Sequence, residues 1–254
     1  MRQPRCDTLG WRMSPPERLS ILVPVYNEAR TVAMVIDRLL AIDLPLAREI
    51  IVVNDGSNDG TFEALEACEP HGDLLRILHA PQNAGKGAAI RLGLSHARGT
   101  IIAIQDADLE LDPVQLAGLV QPILEGRTNV VYGSRFLAGR PPAPWLTIVA
   151  NRALTAATNL LFGASVTDME TCYKIMRTDV ARSLALESNR FDIEPEITAK
   201  LLLAGHAILE RPVVFKPRQR HEGKKIGWRD GVHALRVLVG YRFSGWRPSP
   251  PSGS

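Results

Sequence analysis

The sequence is poor in the features that mark several large classes of protein. Its three cysteines, Cys6, Cys68 and Cys172, are far apart and lack metal-ligand spacing, which predicts free thiols in a reducing compartment. No apolar run approaches the roughly 18 residues of a membrane-spanning helix. The net charge of +3 is too small to indicate nucleic-acid binding. With 45% hydrophobic and 22% charged residues, the chain is expected to be globular.

Both ends of the sequence differ from the part between them. Residues 1–18 lack the apolar core of a signal peptide and are expected to form a disordered arm. Residues 244–254 contain the Pro/Ser-rich stretch RPSPPSGS and are also expected to be disordered. The folded part is therefore expected between Leu19 and Phe243.

The part between them alternates short apolar runs with segments of helical spacing. The runs predict strands at 19–25, 49–53, 74–78, 101–104, 129–132 and 206–215. The helical segments are 31–42, 61–67, 88–97, 113–124, 145–162, 191–204 and 231–243. This alternation predicts an α/β fold with a mostly parallel central sheet and helices on both faces.

The stretch TIIAIQDADLELD is where a predicted strand meets a cluster of acids. Asp and Glu are depleted in strands, so this strand should end before Asp106, Asp108 and Glu110. Ligands of open α/β sheets bind beyond the carboxyl ends of the strands. Carboxylates there could hold a divalent cation together with substrate phosphates. The alternative is a solvated acidic turn, and Asp112-Pro113 is assigned to the cap of the next helix.

Three further predicted strands also end in polar or glycine-rich loops, at residues 24–28, 54–60 and 81–87. The carboxyl ends of parallel strands meet at one edge of a sheet, so the four loops should lie together. A nucleotide needs such an edge, which offers partners for a base, a carboxylate near a ribose and donors or a metal for phosphate.

The motifs PVYNE, VVNDGSNDGT, NAGKGAA, DADLE, GSRF and TDMETCYK, followed by a helix that contains Glu194, occur in this order. Together they resemble the GT-A glycosyltransferases of family 2, over about Leu19–Gly240. The nearest resemblance is to the dolichyl- or polyprenyl-phosphate mannose synthase-like branch. It implies a GT-A (Rossmann-like) nucleotide-diphospho-sugar transferase domain at 19–230, followed by an interfacial amphipathic helix at 231–243.

The resemblance implies roles for residues in each motif, with packing, capping or ordinary ion pairs as the alternative for each. Residues expected to bind the nucleotide sugar are Pro24, Tyr26, Glu28, Asp55, Gly85, Lys86 and Asp106. Residues expected to hold Mg²⁺ or Mn²⁺ are Asp106, Asp108 and Glu110. Residues expected to act in catalysis are Asp108, Arg135, Arg152, Asp168 and Glu194, and Glu170 and Thr171 belong to the segment expected near the transferred sugar.

The basic loop that follows resembles the mobile loop that closes over a lipid phosphate in this branch. Residues expected to contact the acceptor phosphate are Arg218, Arg220, Lys224 and Lys225. The branch leads us to expect the pattern R-x-x-G-x-S-K, whereas residues 220–225 read RHEGKK. This departure leaves the identity of the donor and the acceptor open.

These residues imply metal-dependent, inverting transfer of a sugar from GDP-mannose or UDP-glucose to a polyprenyl phosphate, with mannose favoured. The acceptor phosphate is already anionic near neutral pH, so no strong general base is required. One alternative is a soluble or polysaccharide acceptor, with Asp168, Glu170 or Glu194 as the base. Another is a non-catalytic subunit of a membrane complex that binds nucleotide sugars.

The resemblance also implies a cytoplasmic protein with peripheral contact to the cytoplasmic face of a membrane. In the segment 231–243, one side carries Val232, Leu235, Val239 and Phe243, flanked by Arg236 and Arg242. This side and the basic loop could lie on an anionic bilayer. The alternative is that the helix packs on its own domain.

Overall fold

The computed structural model describes residues 16–68, 71–217 and 228–249. Its strands are β1 (Arg18–Val25), β2 (Ala47–Asn54), β3 (Leu75–His79), β4 (Ile101–Ile104), β5 (Val130–Ser134), β6 (Lys174–Arg177) and β7 (Leu209–Pro212). Its α-helices are α1 (Val32–Ala41), α2 (Thr61–Glu66), α3 (Lys86–His96), α4 (Leu116–Leu124), α5 (Trp145–Phe162), α6 (Thr178–Ser183), α7 (Ile193–Leu203) and α8 (Trp228–Phe243).

The strands form one sheet in the order β3-β2-β1-β4-β6-β5-β7. β1 pairs in parallel with β2 and β4, β3 pairs in parallel with β2, and β7 pairs in parallel with β5. β6 alone is antiparallel to its neighbours, β4 and β5. The prediction of an α/β fold with a mostly parallel sheet is therefore confirmed.

The central strands were predictable because they are buried almost throughout. The last seven residues of β1, the last six of β2 and all four of β4 are buried. Strands that are covered on both sides of a parallel sheet read as continuous apolar runs, and these runs mark the strands in the sequence. The predicted cap is also present, since Asp112 accepts a hydrogen bond from the Val114 N–H and Pro113 begins the short 3₁₀ turn before α4.

Strand β6 is not predicted by the sequence. Its four residues are too few to show a periodic pattern, and both end residues are charged. Ile175 is fully buried between Ala103 of β4 and Val131 of β5, and this tertiary pairing makes the segment a strand. Because β6 is antiparallel, its first residue lies beside the carboxyl ends of β4 and β5. The preceding loop, residues 167–173, is thereby brought to the predicted ligand-binding edge.

Helix α7 is buried on all sides, without the single apolar stripe of a surface helix. Its buried residues include Glu194, Glu196 and Lys200. Buried charges are usually paired, and the Lys200 ammonium lies 2.6 Å from Glu196 Oε1. The helix thus carries charged side chains into the interior, and Glu194 is one of those predicted to be functional.

Helix α8 packs on α5 and α7 and is followed by a fixed segment. Trp246 packs against the core, and the Ser249 N–H donates a hydrogen bond to the Ser183 carbonyl oxygen at 3.0 Å. The segment predicted to be disordered from residue 244 therefore makes defined contacts as far as Ser249. None of the helices in the described ranges is long and apolar enough to cross a membrane.

Candidate active site

The loops after β1 and β2 are joined to each other at the carboxyl edge of the sheet. The Asn27 N–H donates to Ser57 Oγ at 3.0 Å, and the Asn58 N–H donates to Asn27 Oδ1 at 2.9 Å. Asn27 has a φ of 55°, in the left-handed region that Asn tolerates better than most residues. Three predicted nucleotide-binding residues lie at the end of β1 or in the loop after it, and they are buried or half-buried: Pro24, Tyr26 and Glu28.

Asp55 shapes the glycine-rich loop that precedes α3. Its carboxylate accepts hydrogen bonds from Asn83 Nδ2 at 2.9 Å, the Ala84 N–H at 2.9 Å and the Gly85 N–H at 2.7 Å. Asp55 is itself buried. Asp55, which was predicted to bind the nucleotide, therefore fixes the path of residues 83–85. It makes these bonds within the protein itself, without a ligand.

The start of α3 is pressed against a second loop, residues 187–190. A Cβ atom on Gly85 would lie 2.4 Å from the Asn189 carbonyl oxygen, and one on Gly87 would lie 2.2 Å from the Ser188 carbonyl oxygen. Gly85 also has a φ of +104°, which side chains rarely permit. Both glycines are thus required by backbone packing that places the intervening Lys86.

The acid-rich loop after β4 is braced by two polar residues that were not predicted as site residues. Gln105 Nε2 donates to backbone carbonyl oxygens of this loop, and the Tyr173 hydroxyl donates to Gln105 Oε1 at 2.7 Å. Within the loop, the Glu110 N–H donates to Asp108 Oδ1 at 3.1 Å, and Leu109 has a φ of 62°. A left-handed Leu is unusual, and it turns the chain between Asp108 and Glu110.

Lys86, which was predicted to bind the nucleotide sugar, lies between two predicted site acids. Its ammonium is 2.8 Å from Asp106 Oδ1 and 2.9 Å from Glu194 Oε1, and its side chain is 13% exposed. Burial would lower the pKa of this ammonium, but the negative charges of Asp106 and Glu194 raise it well above its ordinary value. The structure therefore brings Lys86, Asp106 and Glu194 together as one charged cluster.

A second buried lysine, Lys174, extends this cluster and was missed as a functional residue. Its ammonium lies 2.5 Å from Glu194 Oε2 and donates to the Met169 and Thr171 carbonyl oxygens at 3.0 and 2.5 Å. It is fully buried. Its contact with Glu194 spans 20 positions in the chain, so no local pattern could have signalled it.

Arg135 and Asp168, both predicted as catalytic, form a two-point ion pair. Arg135 Nε and Nη2 donate to the two carboxylate oxygens at 2.7 Å each, and the Arg135 backbone N–H adds a third bond at 3.0 Å. The Asp168 N–H donates in turn to Glu210 Oε1 at 3.1 Å. Because Asp168 is fully buried and accepts all three bonds, it orients the guanidinium, whose other N–H groups remain available as donors.

Glu170 lies between these two paired groups. Its Oε1 atom is buried and has no hydrogen-bond partner in the part of the chain that the structure describes. Burial raises the pKa of this carboxyl to about 7, and the charges of Glu194 and Asp168 add to the rise while Lys174 and Arg135 oppose it. The described residues thus leave one buried oxygen of Glu170 without a hydrogen bond.

The remaining predicted residues lie towards the surface or outside the described residues. Arg152 is exposed on α5, with its guanidinium 5.3 Å from the centre of the Phe136 ring. The segment that leads to the basic loop crosses the acid loop, where the Lys216 N–H donates to the Glu110 carbonyl oxygen at 2.8 Å. The predicted phosphate-binding residues Arg218, Arg220, Lys224 and Lys225 lie outside the described residues.

The donor set suits a divalent cation that is shared with a substrate. Among the described residues, the cluster sets four acids, Asp106, Asp168, Glu170 and Glu194, against three cations, Lys86, Lys174 and Arg135. Asp108 and Glu110 follow Asp106 in the acid-rich loop. Within the described ranges, no three His, Cys, Asp or Glu side chains form a ready-made metal site. Mg²⁺ commonly takes one or two carboxylates and completes its shell with water and phosphate oxygens, so this arrangement fits it.

Comparison with known proteins places this cleft in a family context. Residues 20–184, more than half of the chain, match the family described as Glycosyl transferase family 2. The chain is 26% identical to the polyprenol monophosphomannose synthase of Mycolicibacterium smegmatis, over 84% of this chain and 83% of the relative. It is also 26% identical to the undecaprenyl-phosphate mannosyltransferase of Micrococcus luteus, over 91% of this chain and 98% of the relative.

The fold also matches that of a solved structure. The glucosyl-3-phosphoglycerate synthase of Mycobacterium tuberculosis, in complex with Mn²⁺, uridine-diphosphate-glucose and phosphoglyceric acid, superimposes with a TM-score of 0.69. The match covers 94% of this chain and 82% of that chain, at 21% sequence identity. It confirms the predicted GT-A nucleotide-diphospho-sugar transferase fold.

Proposed function

Because the chain belongs to glycosyl transferase family 2, we propose that it transfers a neutral hexose from a nucleotide-diphosphate sugar to a polyprenyl phosphate, with inversion at the sugar. GDP-mannose is the favoured donor and UDP-glucose the second. The names of the Mycolicibacterium and Micrococcus relatives support a polyprenyl phosphate acceptor and mannose as the sugar.

The observation that carries the proposal is the position of the segment before the basic loop. Lys216 is hydrogen-bonded to Glu110, and Phe215 forms a β-bridge with Leu111. The most basic stretch of the chain therefore starts beside the acid loop. A phosphate acceptor that is guided by this stretch would meet the donor diphosphate at the acids.

Transfer of a sugar to a phosphate depends more on the positions of charged groups than on a proton transfer. A phosphate monoester carries close to two negative charges at neutral pH and is already a nucleophile. Arg135, fixed by Asp168, would orient one phosphate with the N–H groups that Asp168 leaves available. Asp168 and Glu194 are both engaged in ion pairs, which supports positioning roles for them.

A Mg²⁺ or Mn²⁺ ion would be held by Asp108, with Asp106 and Glu110 beside it, and would neutralise the leaving diphosphate. Lys86 holds Asp106 in place and offsets part of the negative charge when no cation is bound. The excess of acids over bases among the described residues of the cleft is the observation that supports this cofactor.

We further propose that α5 and α8 contact the cytoplasmic face of a membrane. α8 has two apolar sides about a third of a turn apart: Ala234 and Leu238 are buried against the domain, while the neighbouring side remains exposed. The exposed apolar residues of the two helices are Trp145, Leu146, Val149, Leu160, Val232, Leu235, Val239 and Phe243. The free thiols of Cys68 and Cys172 suit a reducing compartment.

The test is transfer of labelled sugar into an organic phase. Purified protein with Mn²⁺ and undecaprenyl phosphate is given radiolabelled GDP-mannose or UDP-glucose. We expect label in the lipid phase with one of the two donors, and none when the lipid phosphate is replaced by undecaprenol, which lacks the anionic nucleophile. Release of nucleotide diphosphate with all label remaining in water would contradict the lipid acceptor.

One observation favours a second candidate, transfer to a hydroxyl of a soluble acceptor. That reaction requires a general base. Of the three candidates, Glu170 has an oxygen, Oε1, with neither a hydrogen bond nor an ion pair among the described residues, whereas Glu194 Oε1 lies 2.9 Å from the Lys86 ammonium. A carboxyl with a pKa of about 7 is suited to that role. Transfer of label to a water-soluble acceptor, abolished by Glu170→Gln, would favour this function.

A further inference from the structure

The loop that carries Glu170 is tied to the ends of two strands at the centre of the cleft. Thr171 Oγ1 donates to the Gly133 carbonyl oxygen of β5 at 2.5 Å, and Cys172 Sγ lies 3.8 Å from the Ile104 carbonyl oxygen of β4. The Cys172 thiol also contacts the Asp106 carboxylate. Glu170 is thus held two residues from a contact with the acid loop, where the donor diphosphate is proposed to bind.

The charged neighbours of Glu170 are already paired with other groups. Arg135 is bound at two points by Asp168, and Lys174 is bound by Glu194 and two carbonyl oxygens. Their charges lower the pKa of Glu170, but no hydrogen bond from either one to it is formed. Leaving a buried acceptor unsatisfied costs about 1–3 kcal/mol, and more when it is charged.

In its carboxylate form, Glu170 only accepts hydrogen bonds, so the missing partner of that form is a hydrogen-bond donor. A phosphate offers mainly acceptors and repels a carboxylate, whereas a sugar hydroxyl donates and is neutral. The sugar of a nucleotide-diphosphate donor is attached to the phosphate that the acid loop would hold. A sugar hydroxyl is therefore the partner that fits both the acceptor oxygen of Glu170 and its position beside the acid loop.

We propose that Glu170 is a specificity residue that accepts a hydrogen bond from a hydroxyl of the donor sugar and selects neutral hexoses over uronic acids. The inference rests on the proposed function and refines it. The second part follows from charge, because a carboxylate on the sugar would enter a cleft whose described residues set four acids, Glu170 included, against three cations.

The test compares the affinities of the whole protein for nucleotide sugars and nucleotide diphosphates by calorimetry with Mg²⁺. The probes are UDP, UDP-glucose and UDP-glucuronate, and the corresponding GDP, GDP-mannose and GDP-mannuronate set. The variants are Glu170→Ala, Glu170→Gln and the control Glu125→Gln, an exposed acid after α4. Thermal unfolding verifies that each variant is folded.

We expect Glu170→Ala to weaken the binding of the neutral nucleotide sugar about tenfold, roughly the value of one lost hydrogen bond, while the nucleotide diphosphate binds unchanged. Glu170→Gln keeps the shape but removes the charge, so it should reduce the preference for the neutral sugar over the uronate about tenfold. Glu125→Gln should match the wild type with every probe.

Four outcomes would overturn the inference. Equal losses for the nucleotide diphosphate and the nucleotide sugar would indicate a structural role. An unchanged preference in Glu170→Gln together with a large loss of kcat would assign Glu170 as a base. If the wild type binds a nucleotide sugar but neither Glu170 variant changes its affinity, the inference alone fails, whereas a wild type that binds no nucleotide of either set overturns the proposed function as well.

Discussion

The Lys86 ammonium lies 2.8 Å from the Asp106 carboxylate and joins the start of α3 to the acid loop after β4. The two residues are brought together by neighbouring loops at the edge of the sheet. Because Lys86 also contacts Glu194 of α7, one ammonium connects three parts of the cleft. Replacing Lys86 should therefore lower the stability of the protein and change the positions of the acids near the proposed metal.

Lys86→Met should lower the free energy of unfolding by about 3–5 kcal/mol, because it leaves Asp106 in the cleft without its cation and removes one of the two cations that Glu194 contacts. The measurement is urea unfolding at pH 7.5 without metal. Lys216→Met replaces an exposed lysine and should change the free energy by less than about 0.5 kcal/mol. A Lys86→Met protein as stable as the Lys216→Met protein would show that the ion pairs contribute little.

Asp108→Asn should reduce turnover about 100-fold or more at a fixed Mn²⁺ concentration, because the proposed metal loses its main charged ligand. The rate is measured against Mn²⁺ concentration, and the half-saturating concentration should rise. Asp112→Asn is the matched control, since Asn preserves the cap that Asp112 provides four residues away. Equal metal dependence in the two variants would count against a metal role for Asp108.

Much of the fold could be predicted from the sequence, because its signals are local. Continuous apolar runs mark β1, β2 and β4, and the acids after each strand mark the edge where a ligand binds. The pairings inside the cleft are different. Lys86 with Asp106 and Lys174 with Glu194 are matched only after the chain has folded, so the local sequence around each lysine does not distinguish it from a surface residue.

Helix α8 illustrates the same limit in another way. Its spacing predicts an apolar side that contains Val239 and Phe243, but the sequence cannot decide between packing on the domain and contact with a membrane. The structure shows that Leu238, about a third of a turn away from them, faces the interior. A second apolar side, which the sequence pattern did not emphasise, packs against the domain. The predicted apolar side therefore remains exposed.

Glu170→Gln should stabilise the protein at pH 8 by about 1–3 kcal/mol and have little effect at pH 4. Glu170 has an ordinary pKa of 4.5, and in the folded protein it is raised to about 7. Between these values the folded state binds more protons than the unfolded state, so the contribution of this group to stability falls as the pH rises. Gln carries no charge, so the variant does not lose this part of its stability as the pH rises.

The measurement is urea unfolding at pH 4, 6 and 8 in the presence of a chelator, so that bound metal does not shift the result. Glu63→Gln, a change on the exposed surface of α2, serves as the control. A gain for Glu170→Gln that is equal at pH 4 and pH 8 would rule out titration of Glu170 as its cause, because only a charge that appears with rising pH gives the expected trend.

The exposed side of α8 provides the last prediction. The double variant Val239→Glu/Phe243→Glu places two negative charges where side chains that are 40% and 77% exposed would enter a bilayer. Burial of a Val or Phe side chain contributes about 1.5–3 kcal/mol, so binding to vesicles of anionic phospholipid should weaken by more than about tenfold. Sedimentation with vesicles at low salt measures this change.

The control is Met34→Glu, which alters an exposed apolar residue of α1. This variant should bind vesicles as the wild type does. Because the substituted side chains point away from the domain, the double variant should keep its affinity for nucleotide sugar. Loss of both activities would indicate misfolding, and sedimentation equal to that of the wild type would exclude this side of α8 as the membrane contact.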